Sequence, residues 1–139
     1  MRTCWPSEAD VERITWMCSW HFGGEDWGVE SANIRPLEVL AERNDKGTIV
    51  AFVAFKDDGS SLIGRRSGVL RAYRGKGLAT KMYRHMTTLA RRRGLTYRTY
   101  CSAHNLPSLN SHLLAGMRIR KTWYDDGNAF VDLESREVR

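Results

Sequence analysis

Between Ser61 and Arg93 the sequence changes its period once, and that change restricts the fold more than any other feature of the chain. Ser61 to Leu70 reads as an extended stretch, whereas Gly77 to Arg93 has helical spacing, with Leu78, Met82, Met86, Leu89 and Ala90 along one face. Gly94 stands where a helix end favours glycine. The joint between the two is a basic, glycine-rich turn, Arg74-Gly75-Lys76-Gly77-Leu78-Ala79. N–H groups at a helix start have no partner inside the helix and lie at the positive end of its dipole. A strand, such a turn and a long amphipathic helix therefore suit a phosphate or pyrophosphate. Gly75 and Gly77 let the backbone approach the ligand, and Arg74 and Lys76 add charge. The plainer alternative is a glycine turn with incidental basic residues.

Two familiar phosphate loops do not fit. A Walker loop needs GxxxxGK[ST], but Leu70 occupies its first glycine position and Gly77 follows the lysine. A dinucleotide fingerprint needs GxGxxG, and Thr80 stands at its third glycine, with no clear ribose-binding acid further on.

The rest of the chain surrounds this unit with short elements. Met1 to Trp5 reads as a short strand. Ser7 and Asp10 resemble a capping box that opens an amphipathic helix through Val11, Ile14 and Cys18 to about Trp20. His21 to Asn33 is a loop rich in glycine and acid. Leu37 to Glu42 and Thr48 to Phe55 form a predicted hairpin around Asn44-Asp45-Lys46-Gly47. A helix begun by Pro36 is the alternative for Pro36 to Ala41. After the long helix come a strand from Leu95 to Ser102, a short helix from Ser108 to Ala115, and strands Ile119 to Tyr124 and Ala129 to Glu134 around Asp126-Gly127. Such a mixed order predicts an α/β (α+β) sheet with helices on its faces.

Composition narrows the class. At 139 residues, 42% apolar and with only 3 prolines, the chain has the profile of one folded domain, and no linker or repeat divides residues 1–139. No apolar run approaches a membrane span and the start lacks a secretory pattern, so the expected compartment is the cytoplasm and no membrane partner is expected. Three cysteines, Cys4, Cys18 and Cys101, form no CxxC pair, so they read as reduced thiols and no metal site is expected. The net charge of +6, much of it between Arg65 and Arg98, favours an anionic partner. Arg84, His85, Arg91, Arg92, Arg93 and Arg98, with Tyr97 and Tyr100 for stacking, would be the footprint of a nucleic-acid module. The known signatures of such modules are missing, which disfavours that reading.

The loop resembles a particular family. Arg74-x-x-Gly77-x-Ala79 is similar to the [Q/R]-x-x-G-x-[G/A] motif of the GNAT superfamily of acetyl-CoA-dependent N-acetyltransferases, placed after Val69 as in that family. Downstream, Asn105, Ser108 and Gly116-Met117 resemble its pattern of Asn, a small residue and Gly-Phe. The likeness runs from about Val39 to Leu133, about two-thirds of the chain. It implies a mixed, largely antiparallel sheet of six to seven strands flanked by about four helices. It also implies transfer of an acetyl group from acetyl-CoA to a primary amine by direct attack in a ternary complex.

By the same resemblance, the backbone of Ser67, Gly68 and Val69 would hold the pantetheine arm. The amides of Gly75, Lys76, Gly77, Leu78, Ala79 and Thr80 would hold the pyrophosphate, beside the Arg74 side chain. This strand would splay from the Leu95–Ser102 strand to leave a gap for the thioester. Asn105 and Ser108 would lie on the cofactor side of that gap. For Asn105 the alternative is a cap of the short helix. A backbone N–H near Val69 or Leu70 is the expected oxyanion donor.

The acid and base are less directly indicated. His112 stands where many relatives carry a proton-donating Tyr, and it is either that donor or an ordinary helix-surface histidine. Tyr100 stands where relatives that acetylate protein N-termini carry a Glu, which weakens a peptide acceptor, although Trp123-Tyr124 through Ala129 faintly resembles such enzymes. Glu25, Asp26, Glu30 and His104 are the candidate bases, His104 first, with a water chain as the alternative. Trp16 reads as core; Trp20 and Trp27, with His21 near them, are candidates for an acceptor pocket. The acceptor is a small-molecule or protein amine, and the last two strands would form the edge of a possible homodimer. The competing functions are an acyl-CoA binder that has lost catalysis and a basic nucleic-acid-associated module.

Overall fold

The computed structural model describes residues 2–20, 34 and 36–136, the side chains of 16–20 excepted. In chain order these form β1 (Arg2–Cys4), α1 (Glu8–Trp20), β2 (Glu38–Arg43), β3 (Ile49–Asp57), β4 (Ser61–Val69), a 3-10 turn (Arg71–Tyr73), α2 (Leu78–Arg92), β5 (Thr96–Ser102), α3 (Leu106–Leu114), β6 (Met117–Asp125) and β7 (Asn128–Ser135). The seven strands make one sheet in the order β1-β2-β3-β4-β5-β7-β6. β4 and β5 run parallel, while the β1–β2, β2–β3, β5–β7 and β6–β7 pairs are antiparallel. The mixed, largely antiparallel sheet is the one expected. Three α-helices lie among the described residues, where about four were expected for the whole chain; residues 21–33 lie outside the described ones. Pro36 to Ala41 does not become a helix: Glu38–Arg43 pairs antiparallel with β3 and is buried from Val39 to Glu42, as a strand covered on both faces is.

The chain forms two compact units, residues 1–56 with 65–78, and residues 57–64 with 79–139. In the first, β3 is buried from Ile49 to Phe55. An unbroken apolar run of this kind is what a strand needs when both its faces are covered. Ile14, Ile34, Val39, Ala41, Ile49, Phe52 and Ala54 make one cluster, with Cys4, Val11, Leu37 and Leu70 packed on it. The predicted capping box is present. Ser7 N–H and Oγ donate to Asp10 Oδ2 at 3.0 and 2.9 Å, and Asp10 N–H donates to Ser7 Oγ at 3.3 Å. Asp10 also pairs with Arg43 of β2, whose guanidinium holds the carboxyl below its ordinary pKa.

In the second unit α2 buries Met82, Tyr83, Met86 and Ala90, and its first residue, Leu78, is buried in the first unit. It ends in a Schellman motif, with Leu95 N–H donating to Ala90 O at 2.8 Å and Gly94 N–H to Arg91 O at 3.0 Å. Ser61–Ile63 of β4 pair with Thr96–Arg98 of β5. Next along, Gly64 makes room for the Tyr97 hydroxyl, which lies 2.5 Å from where a Cβ would stand. Tyr97 is fully buried and its N–H donates to Ser135 Oγ at 2.9 Å, which locks β5 to β7.

Candidate functional site

The loop after β4 is built by short-range bonds. Just past the end of β4, Leu70 N–H donates to Val50 O of β3 at 2.9 Å. Tyr73 N–H then donates to Leu70 O at 2.8 Å and Arg74 N–H to Arg71 O at 3.2 Å, closing the 3-10 turn. Beyond it Gly75 and Gly77 have φ of 75° and 79°, the left-handed region that costs a residue with a Cβ. Nothing lies within 4 Å of where a Cβ would stand at either position, so backbone conformation, not crowding, selects glycine here.

These turns leave a row of donors. Among the described residues the N–H groups of Gly75, Lys76 and Gly77 donate to no backbone acceptor. Leu78, Ala79 and Thr80 follow as the first three residues of α2, whose N–H groups have no partner within the helix. Six consecutive amides are therefore available at the positive end of a 15-residue helix. Arg74 Nε donates to Val69 O at 3.0 Å, tying that side chain to the strand end. Lys76 Nζ sits over the Tyr73 ring, 5.3 Å from its centroid. Of the two amides expected as oxyanion donors, that of Leu70 is spent on Val50 O.

Around α3 the predicted residues fall close together. Asn105 caps the helix, its Oδ1 accepting from Ser108 N–H at 3.3 Å, and Pro107 sits in the first turn. This is the capping alternative noted from sequence, and it engages the side-chain oxygen. His112 is not a surface histidine. It is 3% exposed, stacked on Tyr83 at 3.7 Å between centroids, with Nδ1 only 2.6 Å from Ser108 O. A contact that short to a carbonyl requires a proton on Nδ1, so the neutral ring carries its lone pair on Nε2. Burial lowers its pKa to about 4, partly opposed by the Ser108 carbonyl, so the ring is neutral near pH 7. Cys101 is buried and its thiol pKa is raised by burial, partly offset by its hydrogen bond with Ser108. Ser108 thus links the β5 thiol to the α3 imidazole.

His104 is exposed in the β5–α3 connection, its N–H donating to Ser102 Oγ at 3.3 Å. On β5, β6 and β7, Tyr100, Trp123 and Phe130 make an aromatic group that sequence reasoning touched only through Tyr100 and Trp123. Trp123 stacks on Phe130 at 4.4 Å and donates Nε1–H to Asp132 Oδ1 at 2.8 Å. The register places Trp123 opposite Phe130, and strand alternation puts Tyr100 on the same face, a pattern readable only once the β6–β7 register is known. Trp16, read as core, and Trp20, Trp27, His21, Glu25, Asp26 and Glu30, read as acceptor-side candidates, lie outside the residues whose side chains are described. No group of three metal-ligating side chains occurs among the described residues, and no helix there is long and apolar enough to cross a membrane.

A strand, an amide-rich basic turn and an amphipathic helix on this sheet define an acetyltransferase-type fold. The family model described as Acetyltransferase (GNAT) family matches residues 5–117, and the chain belongs to that family. No curated protein sequence matches the chain. Among solved structures, the chain is similar in fold to the ribosomal-protein-S18-alanine N-acetyltransferase of Escherichia coli. That match has TM-score 0.79 and 13% identity, covering 96% of this chain and 92% of that one. It is likewise similar to the Salmonella typhimurium acetyltransferase yncA, solved with its cofactor acetyl-CoA, at TM-score 0.69, 16% identity and coverage of 96% and 91%. A GNAT-family acetyltransferase from Bordetella pertussis matches at TM-score 0.70 and 19% identity, with coverage of 94% and 92%.

Proposed function

We propose that this chain is a single-domain N-acetyltransferase that uses acetyl-CoA as donor and a primary amine as acceptor, joined in a ternary complex. The observation that carries the reading is the run of six open amides from Gly75 to Thr80 at the start of α2, beside Arg74 and Lys76. Their donor chemistry fits a pyrophosphate, and an amide row needs no metal to do so. Family membership and the acetyl-CoA-bound Salmonella neighbour support the same donor.

Acetyl-CoA would supply an activated acetyl thioester; the chain's residues supply position and charge. Ser67, Gly68 and Val69 would hold the pantetheine through their backbone, and Gly75 to Thr80 the pyrophosphate. The Val69 amide is the donor assigned to the developing negative charge on the acetyl oxygen. His104, exposed beside the α3 cap, is assigned to accept the amine proton. His112 is assigned to packing in place of proton donation, because its Nδ1 proton is committed to Ser108 O and its Nε2 carries a lone pair. Asn105 and Ser108 would present the start of α3 to the cofactor. The free thiols Cys4 and Cys101 agree with a cytoplasmic setting. The sheet-edge strand β6, with Ile119 and Tyr124 exposed, is where a homodimer would form.

The test combines acetyl-CoA with a panel of small amines, polyamines, lysine peptides and peptides with free N-termini. Release of CoA thiol is followed together with acetyl incorporation by mass spectrometry. Amine-dependent release with at least one class supports the reading. Binding of acetyl-CoA without turnover on any class would identify a non-catalytic acyl-CoA binder instead.

A further inference from the structure

We infer that Asn44, in the β2–β3 turn, is a positioning residue for the phosphate loop and acts through Tyr73 on Lys76. The inference rests on the proposal that this loop holds the CoA pyrophosphate.

The orientation of the Asn44 amide is fixed by its own turn. Oδ1 accepts from Lys46 N–H at 3.0 Å and from Thr48 N–H at 2.9 Å. The backbone of the same residue accepts from Gly47 N–H and donates to Thr48 O, each at 2.9 Å. With the oxygen so engaged, the NH2 end has one direction left, and there it donates to the Tyr73 hydroxyl at 2.9 Å. This bond joins residues 29 apart in sequence. Tyr73 is the last residue of the 3-10 turn, its own N–H held by Leu70 O. Its ring is therefore pinned at the backbone and at the hydroxyl, and the Lys76 ammonium rests over the ring, within cation–π range.

Lys76 lies in the exposed middle of the amide row. A free lysine there would lose most of its rotamer freedom on meeting an anion, whereas one held over a fixed ring has lost part of it already. Arg74 is treated similarly, tethered to Val69 O. Both cations of the loop are thus tied to the scaffold, and in the case of Lys76 the tie leads through Tyr73 to the β2–β3 turn.

The test is a double-mutant cycle on CoA affinity, measured by titration calorimetry at one salt concentration, with Asn44→Ala, Tyr73→Phe and Lys76→Met. Tyr73→Phe keeps the ring and removes only the hydroxyl bond, so it serves if Asn44→Ala disturbs the turn. Each of Asn44→Ala and Tyr73→Phe should weaken CoA binding roughly two- to fivefold, the scale of an exposed cation–π contact. In the Lys76→Met background neither should weaken it further. Full additivity, or unchanged affinity in both variants while Lys76→Met binds more weakly, overturns the inference. Gly77→Glu and Gly77→Ala separate this from failure of the loop proposal. Both share the backbone strain, but only Glu opposes an anion. If wild type does not bind CoA, or if the Glu variant binds as tightly as the Ala variant, the pyrophosphate assignment itself falls.

Discussion

His112 should make this protein sensitive to mild acid. In the folded chain the ring is 3% exposed and its pKa is lowered to about 4, chiefly by burial, from an ordinary 6.5. In the unfolded chain it takes up a proton near the ordinary value. Between those two pH values the unfolded state therefore binds more protons, and stability must fall as pH falls. The neutral ring's contribution is whole above pH 6.5 and lost by about pH 4. Each pH unit in that window costs about 1.4 kcal/mol, so the loss from this one ring comes to about 3 kcal/mol. The assay is urea unfolding at half-unit steps from pH 7 to pH 4, for wild type and His112→Gln. The variant will start less stable, having lost the stack on Tyr83, so the comparison lies in the slopes. Wild type should lose about 3 kcal/mol more than the variant across the window. Asp10 and Asp58 do not blur the comparison. Both carboxyls are held below their ordinary 3.8, Asp10 mainly by its bond from Arg43 and Asp58 mainly by backbone N–H bonds from Ser60 and Ser61. Their contributions persist until the pH falls below that value. Parallel curves for the two proteins would refute the reasoning and place a charged imidazole in the folded state.

Two other perturbations follow from packing and capping. Gly64→Ala would set a Cβ 2.5 Å from the buried Tyr97 hydroxyl, and should cost about 1–3 kcal/mol in urea unfolding. Adding Tyr97→Phe should recover part of that loss, and no recovery would mean that the clash lies elsewhere. Ser7→Ala removes the reciprocal bonds with Asp10 and should lower stability by about 1 kcal/mol, read as a drop in melting temperature.

The sequence made some parts of this molecule plain because one local rule decided them. Ser7 and Asp10 announced the start of α1, and the Leu78, Met82, Met86 and Ala90 spacing announced the buried face of α2. The basic, glycine-rich joint between β4 and α2 was legible because glycine spacing and charge both act within six residues. What stayed hidden was set by distant partners. His112 looks the same in sequence whether it faces solvent or stacks on Tyr83, since the stacking partner belongs to another helix. Asn44 reads as an ordinary turn residue until Tyr73 is brought to it. The Tyr100, Trp123 and Phe130 group depends on a β6–β7 register that shifts between Ile119 and Lys121, an irregularity that no period-2 pattern reveals. The Leu70 amide was open to an oxyanion role on sequence grounds, and a single bond to Val50 O removes it.

The most direct test is the melting temperature with acetyl-CoA and CoA, measured beside ATP and NAD at one fixed salt concentration. A ligand that binds only the folded state at a hundredfold excess over its Kd adds about 2.7 kcal/mol of stability. The amide row from Gly75 to Thr80, together with the pantetheine contacts proposed for Ser67, Gly68 and Val69, predicts a clear rise with acetyl-CoA and CoA and none of comparable size with ATP or NAD. Equal rises with all four would reduce the loop to a general anion site, and no rise with either CoA species would contradict the proposed donor.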